Sequence, residues 1–220
     1  MIRRDMTRRT LLRALAAGSL AGFMQRSLAA GANPIAPGLR RLRGNVFVND
    51  APAHEGRIVA PGDTVATGAG AEALYVIGQD AFLQRESSTV HFGRDGAADF
   101  MRVLSGKILS VFGRGDKRIS VATATIGIRG TACYIEEEVS RTYFCLCYGE
   151  AEVVPVAAPQ QRALISTRHH EHQIYIHADK NMPTSMVAAA VINHTDAELT
   201  LLESLVGRLP PFQGNDYRGY

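Results

Sequence analysis

The sequence predicts an all-β protein, built as an antiparallel sandwich or a short β-solenoid, with one amphipathic helix near the C-terminus. Apolar runs of four to eight residues follow one another from Leu42 at roughly ten-residue spacing, rich in Val, Ile, Thr, Tyr and Phe and bounded by Gly, Asp or Asn. No helical pattern separates these runs, which is typical of sandwiches, barrels and solenoids. They show no regular internal repeat of the kind found in a regular solenoid.

Residues 1–29 are expected to be an export signal rather than part of the fold. A basic start precedes an apolar run at Ala14–Met24, and small residues at Ser27 and Ala29 suit cleavage after Ala29. The apolar run of about eleven residues is shorter than the roughly twenty that a membrane-spanning helix needs. We therefore expect no permanent membrane span.

The stretch "TRRTLLR" resembles a twin-arginine signal, with Arg8 and Arg9 as the pair. This resemblance implies the twin-arginine translocase as a partner during export and a periplasmic location in a Gram-negative-type envelope. An ordinary secretory signal that contains adjacent arginines is the alternative. Because the twin-arginine pathway moves folded proteins, it permits a cofactor or a folded partner acquired before export.

The charge of the chain argues against a nucleic-acid partner. The full sequence has a net charge of +3, with 24 basic and 21 acidic side chains. Six of the arginines and one aspartate lie in residues 1–29, which leaves 18 basic and 20 acidic side chains in the rest. The basic character therefore belongs to the signal, and no basic patch remains to bind nucleic acid.

The remaining chain divides into four segments. Residues 30–42 contain "GANPIAPG" and are predicted to be a linker. Residues 43–157 are predicted to form the β-domain, from strands in "RGNVFVND", "GRIVAPGDTVAT", "GAEALYVIGQDAFLQRE", "STVHFG", "FMRVLSGKILSVFGRGD", "KRISVATATIGIRGTACYIEEE" and "RTYFCLCYGEAEVVPV". Residues 158–182 are predicted to form a His-rich strand pair from "RALIST" and "HQIYIHA", and residues 183–220 a helix and tail.

The helix is predicted from apolar residues at three-to-four spacing, namely Leu199, Leu202, Leu205, Val206 and Leu209. Thr195 or Asp196 can cap its start, and Gly207 followed by two prolines ends it. We expect this helix to pack on the β-domain, with the docking of a partner as the alternative.

Several of these segments resemble the FecR domain of periplasmic regulators of iron-transport signalling. The resemblance covers about residues 43–157 and is carried by "GNVFVND", Gly56, "VAPGDTVATG", "AEALYVIGQDAFLQRESSTV", "VLSGKILSVFG", "ISVATATIGIRGTACYIE" and "YGEAEVVPV". Members that regulate sigma factors carry a cytoplasmic segment and a membrane helix, where this sequence shows an export signal. The resemblance therefore implies an exported, stand-alone sensory or scaffolding module that binds a protein partner.

The most specific residues of the resemblance are predicted to be structural. They are Gly62, Asp63, Thr67, Gly68, Arg129, Gly130 and Thr131. Gly62 and Asp63 suit a tight turn, where Gly tolerates positive φ and Asp bonds backbone amides. Arg129 is expected to satisfy carbonyls at a strand crossover, with a contact to a partner's carboxylate as the alternative.

Three cysteines, Cys133, Cys145 and Cys147, allow three interpretations. In a hairpin around Val139 and Ser140, Cys133 falls roughly opposite the other two, and a slip of one residue would send it to the other face. One interpretation is small apolar core residues. The second is a disulfide from Cys133, since the periplasm is oxidising. The third is a metal site.

The metal interpretation depends on the histidines of "RHHEHQIYIH". Strand alternation places His170 and His172 on one face and His169 on the other. Three thiolates and an imidazole would suit tetrahedral zinc, and the same soft ligands could hold copper(I). The candidate ligands are Cys133, Cys145, Cys147, His169, His170 and His172. A solvated strand end is the competing interpretation of the histidines.

No catalytic constellation emerges from the sequence. His54, His91, His177 and His194 are scattered, and no nucleophile–base pair or phosphate loop is present. We therefore expect a non-enzymatic partner-binding module without a cofactor. The alternative is a metal-binding or redox accessory protein that uses the Cys/His group, with zinc or copper as its metal.

Overall fold

The computed structural model describes residues 34–95 and 98–213. The predicted signal with Arg8 and Arg9, the first residues of the predicted linker and the last seven residues of the tail lie outside the described residues.

The described chain is mostly β-sheet with one α-helix near its C-terminus, which confirms the predicted fold class. The strands are β1 Gly38–Arg43, β2 Val46–Val48, β3 Ala51–Pro52, β4 Thr64–Thr67, β5 Glu72–Ile77, β6 Asp80–Gln84, β7 Ser88–Asp95, β8 Ala98–Val111, β9 Asp116–Ser120, β10 Ala124–Glu137, β11 Arg141–Pro155, β12 Ala163–Thr167, β13 His172–His177 and β14 Met186–Ala188. The helix, α1, is Asp196–Leu205, and a short 3₁₀ helix spans Pro159–Gln161.

The fourteen strands form one continuous sheet, ordered along its main path β14-β13-β11-β10-β9-β8-β7-β4-β2-β3. All described pairings are antiparallel except that of β8 with β9, so the sheet is mixed. The strands β8, β10 and β11 are 14, 14 and 15 residues long. On at least one edge, each of them pairs with different strands along its two halves, and this change of partner lets the sheet bend around a core.

Part of the predicted linker belongs to this sheet. Residues 38–43 form β1, which pairs with β5 along its whole length. Leu39 is fully buried, and Ile35 donates its backbone N–H to the carbonyl of Leu205 at 2.8 Å. The prediction of a linker over residues 30–42 is wrong for this part, because one buried leucine and the sheet ladder outweigh the turn signal of the prolines and glycines.

The predicted strand pair in residues 158–182 is also arranged differently. Both strands form, as β12 and β13, but they do not pair with each other. β12 pairs with β11 at Gly149–Val153, and β13 pairs with β11 at Arg141–Leu146. Because β10 occupies the other edge of β11, β12 and β13 lie end to end along the same edge. The residues between them therefore form a bend along this edge rather than a hairpin turn.

Two hydrophobic clusters lie on opposite faces of the long strands. The interior cluster, which includes Tyr75, Phe82 and Phe92, lies between facing parts of the sheet, and the ring centroids of Tyr75 and Phe92 are 5.8 Å apart. The outer cluster lies between the sheet and α1. Its members include Leu74, Tyr134, Tyr143, Cys145, Cys147, Leu199, Leu201, Leu202 and Leu205.

The helix begins and packs as the sequence predicts. Thr195 is the N-cap and forms a reciprocal capping box with Glu198, which satisfies two backbone N–H groups. Leu199, Leu202 and Leu205 are buried against the sheet, whereas Leu209 is 65% exposed. In the described chain, no helix has the length and apolar character required to cross a membrane.

Candidate metal centre

Strand β11 directs two thiols to the outer cluster. Cys145 lies opposite Tyr134 of β10, and the ladder then shifts by one residue, so that Tyr148 faces Ala132 and no β10 residue lies opposite Cys147. Cys145 and Cys147 are two residues apart on an extended strand, so both side chains lie on the same face. Both residues are fully buried in the outer cluster.

The bend between β12 and β13 supplies the first imidazole. His170 has a φ of +49°, in the left-handed region that non-glycine residues adopt rarely and often at functional sites. Its backbone N–H donates to the carbonyl of Cys147 at 3.0 Å, and its carbonyl accepts from the side-chain amide of Gln173. These contacts hold the bend against β11 and bury His170 to 5% exposure.

The segment before α1 supplies the second imidazole. His194 immediately precedes the N-cap Thr195 and is 4% exposed. Its ring stacks on Tyr134 with the centroids 4.6 Å apart, and its Nδ1 lies 2.6 Å from the carbonyl oxygen of Ile192. The ring can therefore present only Nε2 to the thiols of β11.

These four side chains converge on one point. The Sγ atoms of Cys145 and Cys147, one ring nitrogen of His170 and one of His194 all lie within 4.8 Å of one another. The His170 Nδ1 lies 3.2 Å from the His194 Nε2 and 3.3 Å from the Cys145 Sγ. A tetrahedral zinc ion would separate two nitrogen ligands by about 3.3 Å, and a nitrogen from a sulfur by about 3.6 Å. The group therefore has nearly the dimensions of a Cys₂His₂ metal site.

The outer nitrogens of both imidazoles are occupied by oxygen acceptors. His194 Nδ1 faces the Ile192 carbonyl, and His170 Nε2 faces the carboxylate of Asp196 at 3.2 Å. Carbonyl and carboxylate oxygens only accept, so each outer nitrogen carries a proton, and each neutral ring then has a lone pair on its inner nitrogen. Two lone pairs that face each other at 3.2 Å require a positive charge between them, supplied by a proton or by a metal ion.

The two thiols have opposite electrostatic surroundings. Burial raises the pKa of the Cys145 thiol. Hydrogen bonds with Cys147 and, when a proton lies between the two imidazoles, with His170 and His194 outweigh burial and hold this pKa well below its usual range. Burial and the neighbouring Cys145 raise the pKa of the Cys147 thiol. A thiolate at Cys145 beside two imidazoles is the ligand form that soft metal ions bind.

A second group shares one of these imidazoles. His169 Nε2 lies 2.9 Å from both carboxylate oxygens of Asp196, the same carboxylate that faces His170. His169 is 4% exposed and packs against the ring of Phe212, with the centroids 4.8 Å apart. His169, His170 and Asp196 also lie close enough to be considered as metal ligands. A carboxylate that binds the outer nitrogen of a ligating histidine is a common supporting contact at metal sites.

Two of the sequence-predicted ligands lie elsewhere. Cys133 lies opposite Leu146, so it belongs to the interior cluster on the other face of the sheet from Cys145 and Cys147. The disulfide interpretation of Cys133 is therefore inconsistent with this register, and all three cysteines are free and buried. His172 is exposed at the start of β13. Strand alternation fails for His169 and His170 because both precede β13 and lie in the bend.

The turn residues of the FecR resemblance have structural contacts. Gly62 has a φ of +99°, and its N–H donates to the Phe92 carbonyl at 2.6 Å. The Asp63 carboxylate accepts from the Ala60 N–H at 2.9 Å. Thr67 donates its hydroxyl to backbone carbonyls of the neighbouring turn, and the Gly68 N–H donates to the Asn45 carbonyl at 2.9 Å.

The second motif, residues 129–131, departs from its prediction. Arg129 does not satisfy carbonyls at a crossover, since its side chain is 75% exposed and its Nε donates to Asp116 Oδ1 at 2.6 Å. Gly130 has a φ of +52°, a conformation that suits glycine at this irregularity of β10. Thr131 is fully buried and accepts the Phe112 N–H on its carbonyl at 2.8 Å.

Sequence reasoning missed His194 and Asp196 as parts of the site. His194 lies 24 residues beyond His170, and no ligand spacing connects them. The available signal was the helix cap. A helix that packs on the face of Cys145 and Cys147 brings the residues around its N-terminus near that strand, and His194 and Asp196 flank the predicted cap at Thr195.

Comparisons with known proteins place the chain in no family. No protein-family model and no curated protein matches it. Two crystal structures of a protein named a "putative anti-sigma factor" from Parabacteroides distasonis ATCC 8503 are similar, each with a TM-score of 0.47 and 10% sequence identity. Each match covers 58% of this chain and 59% of the other, so this chain spans less than two thirds of that protein. The resemblance to the FecR domain stays a prediction.

Proposed function

We propose that this protein is an exported metal-binding module that holds one zinc ion between Cys145, Cys147, His170 and His194, with copper(I) as the alternative metal. The observation that carries this proposal is the 3.2 Å approach of the two inner imidazole nitrogens beside the Cys145 thiol. A proton can be shared by only one pair of the ligand atoms that face each other. A metal ion satisfies all four ligands at once, which supports the metal.

Charge favours zinc over copper(I). Two thiolates and two neutral imidazoles around Zn²⁺ give a neutral complex, whereas the same four ligands around Cu⁺ leave one negative charge. The ligands lie in or against an apolar cluster with exposures of 5% or less. An uncompensated charge is costly in such surroundings.

The proposal includes a non-enzymatic role in the periplasm. The Cys145 thiolate would be a nucleophile if it were accessible, but its side chain is fully buried. Such a thiol suits a ligand better than a catalytic group. The periplasmic location rests on the twin-arginine-like signal, and export in the folded state is compatible with a metal that is loaded before export.

The test is elemental analysis of the mature protein purified from periplasm, together with a count of free thiols. We expect one equivalent of zinc, which is lost in Cys145→Ser and in Cys147→Ser. Cys133→Ser is the matched control, because it removes an equally buried thiol from the other face and should keep the zinc. No metal and three free thiols in the wild type would contradict the proposal.

A second candidate function is the binding of a protein partner at the edge of β12. In the described part of the chain, β12 pairs only with β11, so its other edge is open. Leu164 on this strand is 85% exposed, and Val156 nearby in sequence is 58% exposed. An open strand edge with exposed apolar side chains can accept an extended segment of a partner.

This second function is tested by capture of proteins from periplasmic extract with immobilised wild-type protein. Leu164→Lys should abolish the capture of a specific partner, because a charge would then interrupt the apolar edge. Leu209→Lys is the control, since Leu209 is 65% exposed and does not belong to β12. Equal capture by the wild type and both variants would contradict binding at this edge.

A further inference from the structure

We infer that Asp196, the first residue of α1, is the positioning residue of the proposed metal site and joins that site to the helix. This inference rests on the proposed function. Asp196 does not need to touch the metal ion for this role. It acts by fixing the His170 ring, through the ring nitrogen that points away from the two thiols.

The carboxylate lies where it can hold the His170 ring in one orientation. Asp196 Oδ1 lies 3.2 Å from His170 Nε2, while His170 Nδ1 faces the Cys145 Sγ at 3.3 Å. The proton on Nε2 keeps the lone pair on Nδ1, and the contact sets the angle at which that lone pair meets the thiols. Loss of the carboxylate would free the ring to adopt the other tautomer, which cannot bind a metal through Nδ1.

His169 holds the carboxylate in place from the other side. Its Nε2 lies 2.9 Å from each oxygen of Asp196, and its ring is 4% exposed. One carboxylate therefore bridges two adjacent imidazoles, of which only His170 faces the thiols. This division explains why two consecutive histidines are both buried, although only one of them can reach the site.

The helix adds to the effect of the carboxylate. Asp196 lies in the first turn of α1, where unpaired backbone N–H groups favour negative charge. The Asp196 side chain is 20% exposed, so solvent screens its contacts with the imidazoles only partly. His194, just before the N-cap of α1, is thus a ligand, and Asp196, the first residue of α1, supports the ligand His170. Binding of the metal and the position of the helix N-terminus are therefore linked.

A second acidic residue in the same turn provides a matched control. Glu198 closes the capping box with Thr195 and bonds Arg85 at 2.7 Å. Glu198→Gln removes one negative charge from the same turn, and Gln can still close the capping box. Asp196→Asn removes the same charge, but it also removes the second acceptor oxygen that the two imidazoles share.

The experiment measures zinc affinity by competition with a chromophoric chelator, and the absorption spectrum of the Co²⁺-loaded protein. For Asp196→Asn we expect a 10- to 100-fold weaker zinc affinity, the usual cost of losing a supporting contact at a metal ligand. The Co²⁺ spectrum should shift, because the His170 ring is no longer held. Glu198→Gln should bind zinc within about twofold of the wild type, and Asp196→Glu should restore part of the affinity.

The outcomes separate this inference from the proposed function. Wild-type protein that binds no zinc would overturn both. Wild-type protein that binds zinc, with Asp196→Asn of equal affinity and unchanged Co²⁺ spectrum, would overturn the role of Asp196 alone. Equal weakening in Asp196→Asn and Glu198→Gln would also overturn it, since a general effect on the helix would then explain both. Urea unfolding of the metal-free variants shows whether the two substitutions destabilise the fold equally.

Discussion

The two faces of β10 and β11 use the same residue type in different ways. On the interior face, Cys133 lies in the interior cluster, where burial raises its thiol pKa and keeps it protonated. On the outer face, Cys145 is equally buried, but hydrogen bonds with Cys147 and with the imidazoles of His170 and His194 outweigh burial and hold its pKa well below the usual range. Burial is the same for both thiols. The polar groups that reach each face decide whether the cysteine is a core residue or a ligand.

The difference extends to the rest of each cluster. The interior cluster consists of apolar side chains with few polar groups, among them Gln84, which bonds the Tyr75 hydroxyl and two carbonyls. The outer cluster is crossed by imidazoles and by the buried carboxylates of Glu136 and Glu203. One face therefore acts as the ordinary core of a β-domain, whereas the other, closed by α1, can hold a site.

The largest effect is expected from a cavity in the interior cluster. Phe144 is fully buried there and lies next to Cys145 on β11. Phe144→Ala should lower the free energy of unfolding by about 3–5 kcal/mol, from lost burial and an unfilled cavity. Urea unfolding measures this change. Because the Phe144 side chain faces away from the site, the folded fraction of Phe144→Ala should keep its full metal content. Loss of metal from the folded variant would show that the two faces of the sheet are not independent.

The next effect concerns removal of the metal. Free zinc at 100 to 1,000 times its dissociation constant should stabilise the fold by about 2.7–4.1 kcal/mol, since only the folded chain brings the four ligands together. After chelation, amide hydrogen exchange should accelerate in residues 189–205, which include His194 and α1. The amides of β4 and β7, whose buried apolar residues belong to the interior cluster, should change less. Uniform acceleration across the sheet would show that the metal supports the whole domain rather than its outer face.

Two tyrosines, one in each cluster, donate their hydroxyls to acceptors of different charge. Tyr148 in the outer cluster donates its hydroxyl to Glu203, whereas Tyr75 in the interior donates to the neutral Gln84 amide at 2.8 Å. Hydrogen bonds to charged groups contribute about 1.5–3 kcal/mol, and those between neutral groups about 0.5–1.5 kcal/mol. Tyr148→Phe should therefore destabilise the protein more than Tyr75→Phe in urea unfolding. A larger loss of stability in Tyr75→Phe than in Tyr148→Phe would contradict this prediction. It would mean that the Arg208 guanidinium, 2.6 Å from Glu203, is a sufficient partner for this carboxylate without the Tyr148 hydroxyl.

The sequence predicts the fold class and the helix well, because both depend on local patterns. Short apolar runs and the Thr195 cap are readable along the chain, and both form as predicted. The ligand set depends on long-range register instead. The hairpin register that pairs Glu137 with Thr142 places Cys133 opposite Leu146, and therefore on the other face from Cys145 and Cys147. A positive φ at His170 overrides strand alternation. His194 reaches the site only through the packing of α1, which no local spacing encodes.

The smallest effect is expected at Arg129, the central residue of the "IGIRGT" motif. Its ion pair with Asp116 is 75% and 71% exposed, so solvent screens it, and such pairs contribute about 0–1 kcal/mol. Arg129→Ala should change the free energy of unfolding by no more than this and should leave zinc binding intact. Arg85→Ala is the contrast, because Arg85 joins Glu72 and Glu198 at the rim of the outer cluster with 21% exposure and should cost about 1.5–3 kcal/mol. Urea unfolding of both variants measures the difference. A small loss at Arg129 would show that this motif arginine lies at the surface and supports neither cluster. A loss as large as that of Arg85→Ala would show instead that Arg129 helps to stabilise the fold.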